Sequence, residues 1–232
     1  MTRSRLFGAL LASTLMVAGA SSAQAAVIAL VIDETGSISA TNYALQKTGY
    51  INAITDLVQA DGLNSIGVWQ FNDASHLVYS IHTIATAADK TNLLNALNGM
   101  TQAGGTTGIG DAITTAANAI TAFGGTGNKI IDVSTDGQNN TGSNPTTAAN
   151  AAFALGYHVN CLGIGGAADC SFNNGNAALG ADFPAATFAD FEAALRTKLT
   201  AELTFVPEPV TLTIFGAGLL GAAGMRRRLK KA

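Results

Sequence analysis

The sequence predicts an α/β protein: a Rossmann-like, doubly wound, mostly parallel sheet with one antiparallel edge strand. Short apolar runs of strand length alternate with longer runs whose apolar residues recur at helical spacing. Strands bracketed by such helices form parallel sheets covered on both faces. Only the runs at 65–71 and 76–81 lie close enough for a hairpin, so a single strand runs against the rest. Third, three of the segments end in small oxygen-bearing side chains, and ligands of such sheets bind at the carboxyl ends of strands.

The elements follow in order. "VIALVI" at 27–32 is a buried strand. A helix over 41–60 carries Ile51, Ile54, Leu57 and Val58 at helical spacing. "SIGVWQF" and the run 76–81 are the hairpin strands, with Trp69 in the core. A short helix at 91–97 and another at 110–123 precede a strand at 129–134. A helix at 146–155, a strand at 157–164 and a last helix to about residue 203 complete the set. Thr187 is its expected N-cap, with Asp190 favouring the positive end.

Both ends read as signals outside the fold. Residues 1–25 join Arg3 and Arg5, an apolar run and a small-x-small end, Ala23-Gln24-Ala25: a cleavable secretory signal rather than an anchor. Residues 206–232 hold Pro207-Glu208-Pro209, the uncharged run 210–225, then five basic residues in six beginning Arg226, Arg227, Arg228. Sixteen helical residues reach about 24 Å, a little short of a ~30 Å hydrocarbon core. The basic cluster would stay cytoplasmic and leave everything before it outside. This tail resembles the PEP-CTERM sorting signal, which implies a transmembrane helix and removal by a membrane enzyme of the exosortase type. The path it implies is export, an inner-membrane-tethered intermediate, then the cell surface or an extracellular matrix. The alternative is a permanent tail anchor.

That leaves residues 26–205 as one domain, ample for one core. The chain carries 12 basic and 15 acidic residues, and 7 of the basic residues but only Glu208 of the acids lie in 1–25 and 207–232. The core therefore holds 5 basic and 14 acidic groups, a net −9. Nucleic acid is excluded as a partner; cations, or ligands reached through a cation, are not. Cys161 and Cys170, nine apart, suit a disulfide in an exported protein, the alternative being two thiols.

The chemistry lies after the strands. Asp33 ends the first strand, and Thr35 and Ser37 follow at alternate positions around Gly36. "QAGGTTGIGDAI" brings Thr106 to a helix start, and a strand ends in Thr135-Asp136-Gly137. Two carboxylates and three hydroxyls at one sheet edge suit a hard cation such as Mg²⁺, which takes about six oxygens and keeps waters. Neutral hydroxyl ligands leave its charge free to accept an anionic oxygen from outside.

Asp33-x-Thr35-x-Ser37, Thr106 after Gly-Gly, and Asp136 in Thr-Asp-Gly resemble the metal-ion-dependent adhesion site of von Willebrand factor type A domains. The resemblance implies one Mg²⁺ or Mn²⁺ on Asp33, Thr35, Ser37, Thr106 and Asp136, the acids partly through water. Its open position takes a carboxylate from a protein or an acidic polysaccharide, in binding or adhesion rather than catalysis. Thr35 stands where the family usually has serine. Asp132 is a further departure, an acid inside a strand that must be hydrogen-bonded or paired.

Other residues read more plainly. Glu34 is expected to be a solvated rim acid, Ser39 a helix N-cap, and Asp111 a match to the helix dipole. Asn139 and Asn140 line the rim or make a turn. His76, His82 and His158 have no partner pattern. "GIGDAI" lacks the third glycine of a dinucleotide fingerprint. A Mg²⁺-dependent hydrolase is disfavoured, since no cation flanks the three loops to hold a phosphate. A matrix scaffold without metal is the other alternative.

Overall fold

A computed structural model of the chain describes residues 25–173 and 179–204. The secretory and sorting segments, with the expected helix at 210–225, lie outside the described residues. Among those described, no helix is long and apolar enough to cross a membrane.

The elements are β1 (Ala26–Asp33), α1 (Ala40–Leu57), β2 (Asn64–Phe71), β3 (Ser75–Thr83), α2 (Ala87–Asn98), α3 (Ile109–Phe123), β4 (Asn128–Thr135), α4 (Pro145–Ala154), β5 (His158–Ile164), β6 (Asp182–Ala185) and α5 (Phe191–Thr204). The sheet order is β3-β2-β1-β4-β5-β6. Every pair is parallel except β2 with β3, as the single hairpin requires. Because β1 is flanked by β2 and β4, the winding direction reverses beside it, and the carboxyl ends of β1 and β4 open a crevice there.

Successive residues of a strand face opposite sides, so β1 feeds two cores. Ile28, Leu30 and Ile32 pack with Tyr50, Ile54, Phe191 and Leu195 under α1 and α5. Val27, Ala29 and Val31 pack with Ile113, Ala116 and Ile120 under α3. All eight β1 residues are buried, the unbroken apolar run expected of a central parallel strand. Trp69 belongs to the second core.

Three element ends differ by about a helical turn from the sequence reading, and one strand was missed. α1 stops at Leu57 because Val58 turns extended. α2 starts at Ala87, ahead of its apolar residues, because Thr86 and Asp89 form a reciprocal capping box. At α5 it is Asp190 whose carbonyl accepts the first helical bond, from Ala194, at 3.1 Å. Thr187 instead donates to the Asp190 carboxylate from N and Oγ1, at 3.1 and 2.8 Å, closing the turn before the helix. The short strand β6 escaped the pattern because it is four residues long and holds Pro184, which is tolerated at a sheet edge.

Candidate metal centre

Asp33 ends β1 fully buried. Its Oδ1 accepts from Thr35 N at 2.8 Å and its Oδ2 from Thr135 Oγ1 at 2.7 Å. Gln46 donates to its backbone carbonyl at 2.8 Å and fixes the strand end against α1. From Thr35 a run of oxygens leads outward: Thr35 Oγ1 to Ser37 Oγ at 2.9 Å, then Ser37 Oγ donating to Asp136 Oδ1 at 2.6 Å. Burial pushes the Asp33 carboxyl up from 3.8 to about 6 against the bonds from Thr135 and Thr35, and the nearby Asp136 adds to the rise.

Four of the five expected residues thus converge. Thr106 does not: it is exposed, and the next residue, Thr107, is buried in its place. A Cβ added at Gly137 would lie 3.7 Å from Thr107 Oγ1 and 3.9 Å from Ser37 Oγ, so both hydroxyls flank one point beside Asp136. Two adjacent threonines follow Gly104-Gly105, and composition cannot tell which turns inward. Positive φ at both glycines (77° and 98°) settles it by setting the turn.

The loop after β4 holds Thr107 in place. Asn140 accepts from Thr107 N through Oδ1 at 2.8 Å and donates its own N–H to Thr107 O at 2.9 Å. Asn139 Oδ1 accepts from Gly110 N at 3.3 Å, and Asp111 Oδ1 accepts from Ser143 N at 3.0 Å. Asn139 and Asn140 therefore join the two loops of the site. Asp111 does more than match the dipole, since it also anchors the 139–143 segment. Gly110 is required by close approach: a Cβ there would fall on the Ser143 carbonyl oxygen. Gly110→Ala is expected to destabilise the domain by about 1–3 kcal/mol. Denaturant midpoints would show the loss, with faster amide exchange at Thr107 and Asn140.

Glu34 corrects its reading as a solvated rim acid. It is 2% exposed, because the side opposite Asp33 is covered by the hairpin and the segment before Gly104. Its Oε2 accepts from Gln70 Nε2 at 2.9 Å and Ala103 N at 3.2 Å, and His76 Nε2 lies 3.7 Å from Oε1. It secures the Gly-Gly turn from behind and faces away from the site. Ser39 caps α1, accepting from Asn42 N. His82 pairs with Asp89 at 3.3 Å, away from the site.

Asp132 is paired as its burial demands. It and Ser134 face α1 and α5, where Lys198, fully buried, donates to Asp132 Oδ1 and to Val133 O, the latter at 3.0 Å. Glu202 lies beside them at 2% exposure, accepting from Asn160 Nδ2 at 2.8 Å. Tyr50 donates to Ser134 Oγ at 3.1 Å. Elsewhere Cys161, midway along β5, is disulfide-bonded to Cys170, with Cα atoms 5.7 Å apart.

Among the described residues no cluster of three or more His, Cys, Asp or Glu could hold a metal. The donor set here is of another kind, two carboxylates and three hydroxyls. Its fit to a hard cation rests on the buried Asp33, the convergent oxygens and the space a Cβ at Gly137 would fill.

Sheet order, single antiparallel edge and flanking helices together define a von Willebrand factor type A-like fold. Solved structures agree. Proximal thread matrix protein 1 from the mussel byssus superimposes with a TM-score of 0.65 at 23% identity, over 78% of this chain and 48% of that one. A further structure of that protein has a zinc-occupied metal-ion-dependent adhesion site motif. A von Willebrand factor type A protein from Catenulispora acidiphila gives 0.66 at 18% identity, over 78% and 43%. An aerotolerance-related membrane protein from Bacteroides fragilis gives 0.58 at 22%, over 78% and 100%. The chain spans about half the length of the mussel protein, 48%. No curated protein matches it. The chain belongs to the family described as "Protein of unknown function (DUF1194)", which it matches over residues 24–206.

Proposed function

We propose that this protein is an exported, metal-dependent binding module that captures an oxygen anion through one Mg²⁺ or Mn²⁺. The observation that carries the reading is the convergence of Asp33, Thr35, Ser37, Thr107 and Asp136 at the point where the sheet's winding reverses. Asp33 and Asp136 supply the negative charge, and Thr35, Ser37 and Thr107 supply neutral oxygens. When bound, the ion would supply an open position for a carboxylate. Thr135 orients Asp33, and Asn140 holds Thr107 to its post. Among the described residues lining the groove at Asp136 there is no lysine or arginine to hold a phosphate, which favours binding over phosphoryl transfer.

The further reading follows the ends of the sequence. The secretory segment would export the domain, the C-terminal helix would hold it transiently in the membrane, and an exosortase-type enzyme would release it to the surface or matrix.

Titration of Mn²⁺ into residues 26–206 by calorimetry tests this reading. One saturable site is expected. Thr107→Ala should weaken it at least about tenfold, the loss seen even for residues that only support a metal ligand. Thr106→Ala should leave it unchanged. A folded wild-type domain that takes up no Mn²⁺, with or without acetate to complete the site, would sink the reading.

A further inference from the structure

A groove of about 460 Å³ opens directly from Asp136, within the size range of ligand sites. One wall is the outer face of α1, with Asn42 and Leu45; the other is formed by the loops after β5 and β6, with Ile164, Gly166 and Phe188. Leu45 is 45% exposed although large and apolar. Exposed singly it would mean little, but here it faces a groove that also holds Ile164 and Phe188.

Charge says what the groove admits. Among the described residues, Asp136 is the one charged residue lining it. All five cations of the core are engaged elsewhere. Lys47 donates to Asn98 O at 3.1 Å and Lys90 to Thr55 O at 2.7 Å. Lys129 lies 5.3 Å over the Tyr157 ring, Arg196 pairs with Asp56 and Glu192, and Lys198 is buried on Asp132. A polymer with an acid on every sugar would satisfy one charge at the metal. Its next charges would meet an acidic domain within a Debye length of about 8 Å. Its hydroxyls would find few side-chain partners, and polar groups buried without partners cost binding energy.

We propose that the groove beside Asp136 selects a peptide segment presenting a single carboxylate flanked by apolar side chains, in preference to a polyanionic polysaccharide. This rests on the metal-site reading, because the carboxylate is held by the ion. The groove is ordered in advance. The Cys161–Cys170 disulfide closes the loop carrying Gly165 and Gly166. Asp169 N donates to Gly137 O at 3.1 Å and ties that loop to the Asp136 turn. A pre-formed wall spares the ligand the cost of ordering it.

The test uses residues 26–206 loaded with Mn²⁺ and three probes. These are acetyl-Ala-Leu-Glu-Leu-Ala-amide, the same peptide with glycine for both leucines, and trigalacturonate. The leucine peptide should bind at least about tenfold tighter than the other two, the worth of some 1.4 kcal/mol of apolar contact. Two variants outside the metal site check the place. Gly166→Leu fills the groove without collision, since a Cβ there meets nothing within 4 Å. Leu45→Ser removes an apolar wall. Both should erase the leucine preference while Mn²⁺ affinity stays as in wild type. Metal binding without leucine preference, or trigalacturonate binding as tightly as the leucine peptide, overturns the groove proposal alone. Failure to bind Mn²⁺ overturns the metal reading and this proposal with it.

Discussion

Lys198→Met is expected to cost the domain about 3–5 kcal/mol, the penalty for breaking a buried ion pair by removing one partner. Methionine nearly matches the lysine stem, so the loss is electrostatic rather than a cavity. The ammonium is the only cation in a fully buried group that holds the acids Asp132 and Glu202. Without it Asp132 is stranded, and Val133 O loses a side-chain donor. Asp132 Oδ2 and Glu202 Oε2 already have no donor among the described residues. The double variant Asp132→Leu/Lys198→Met should recover most of the loss, because removing both charges also removes their desolvation cost. Urea unfolding with the disulfide intact measures both. A single variant within 1 kcal/mol of wild type would show that the pair is not what holds this interface.

The same cluster sets a pH dependence of known sign. Burial, then the nearby Asp132, pushes the Glu202 carboxyl well above its usual range, with Lys198 opposing. A raised folded value means that the folded state binds this proton more tightly than the unfolded chain. Glu202 therefore contributes stability fully below the unfolded value of about 4.3, and loses it as pH rises toward the folded value. Across that window the slope is about 1.4 kcal/mol per pH unit. Glu202→Gln keeps an oxygen for Asn160 and removes the titration. Its stability should therefore gain on wild type at that rate from about pH 4.3 upward. Parallel stability curves would show that Glu202 keeps its ordinary titration.

How much of this was legible in the sequence differs from element to element. Alternation of apolar runs is a strong local signal, and it gave the sheet, its hairpin and the first core strand. The convergence of Asp33, Thr35, Ser37 and Asp136 was legible because each stands at or just after a strand end, where the topology gathers loops. Thr107 was not, because its inward turn depends on two left-handed glycines and on Asn140, far along the chain. Glu34 was misread for a similar reason: strand alternation turns it away from Asp33, but cannot show that the hairpin covers that side. The buried ion group was half visible. Phe191, Leu195, Lys198, Leu199 and Glu202 form one helical stripe, so two charged residues occupy core positions of α5. Their fixed period pointed inward, and the buried Asp132 demanded a partner. Joining the two needed the packing of α5 against the sheet, which no local pattern carries.

The metal reading carries the other large effect. Mg²⁺ or Mn²⁺ at a hundred times its dissociation constant should stabilise the domain by about 2.7 kcal/mol, because it binds the folded state and not the unfolded chain. Asp33→Asn should abolish that gain. The asparagine keeps an acceptor oxygen for Thr35 N or Thr135 Oγ1, so the sheet end stays bonded while the buried negative charge is lost. The substitution also controls for the chief alternative source of stabilisation. A core of net −9 attracts cations diffusely and gains from any salt that screens its self-repulsion. That gain persists in the variant, which differs by one charge, whereas a bound ion does not. The comparison is cleanest at 0.15 M background salt, where diffuse attraction beyond about 8 Å is already screened. A metal-dependent rise in the unfolding midpoint of wild type alone would place the ion on Asp33. An equal rise in both proteins would assign the effect to the acidic surface and leave the convergent hydroxyls without a cation to hold.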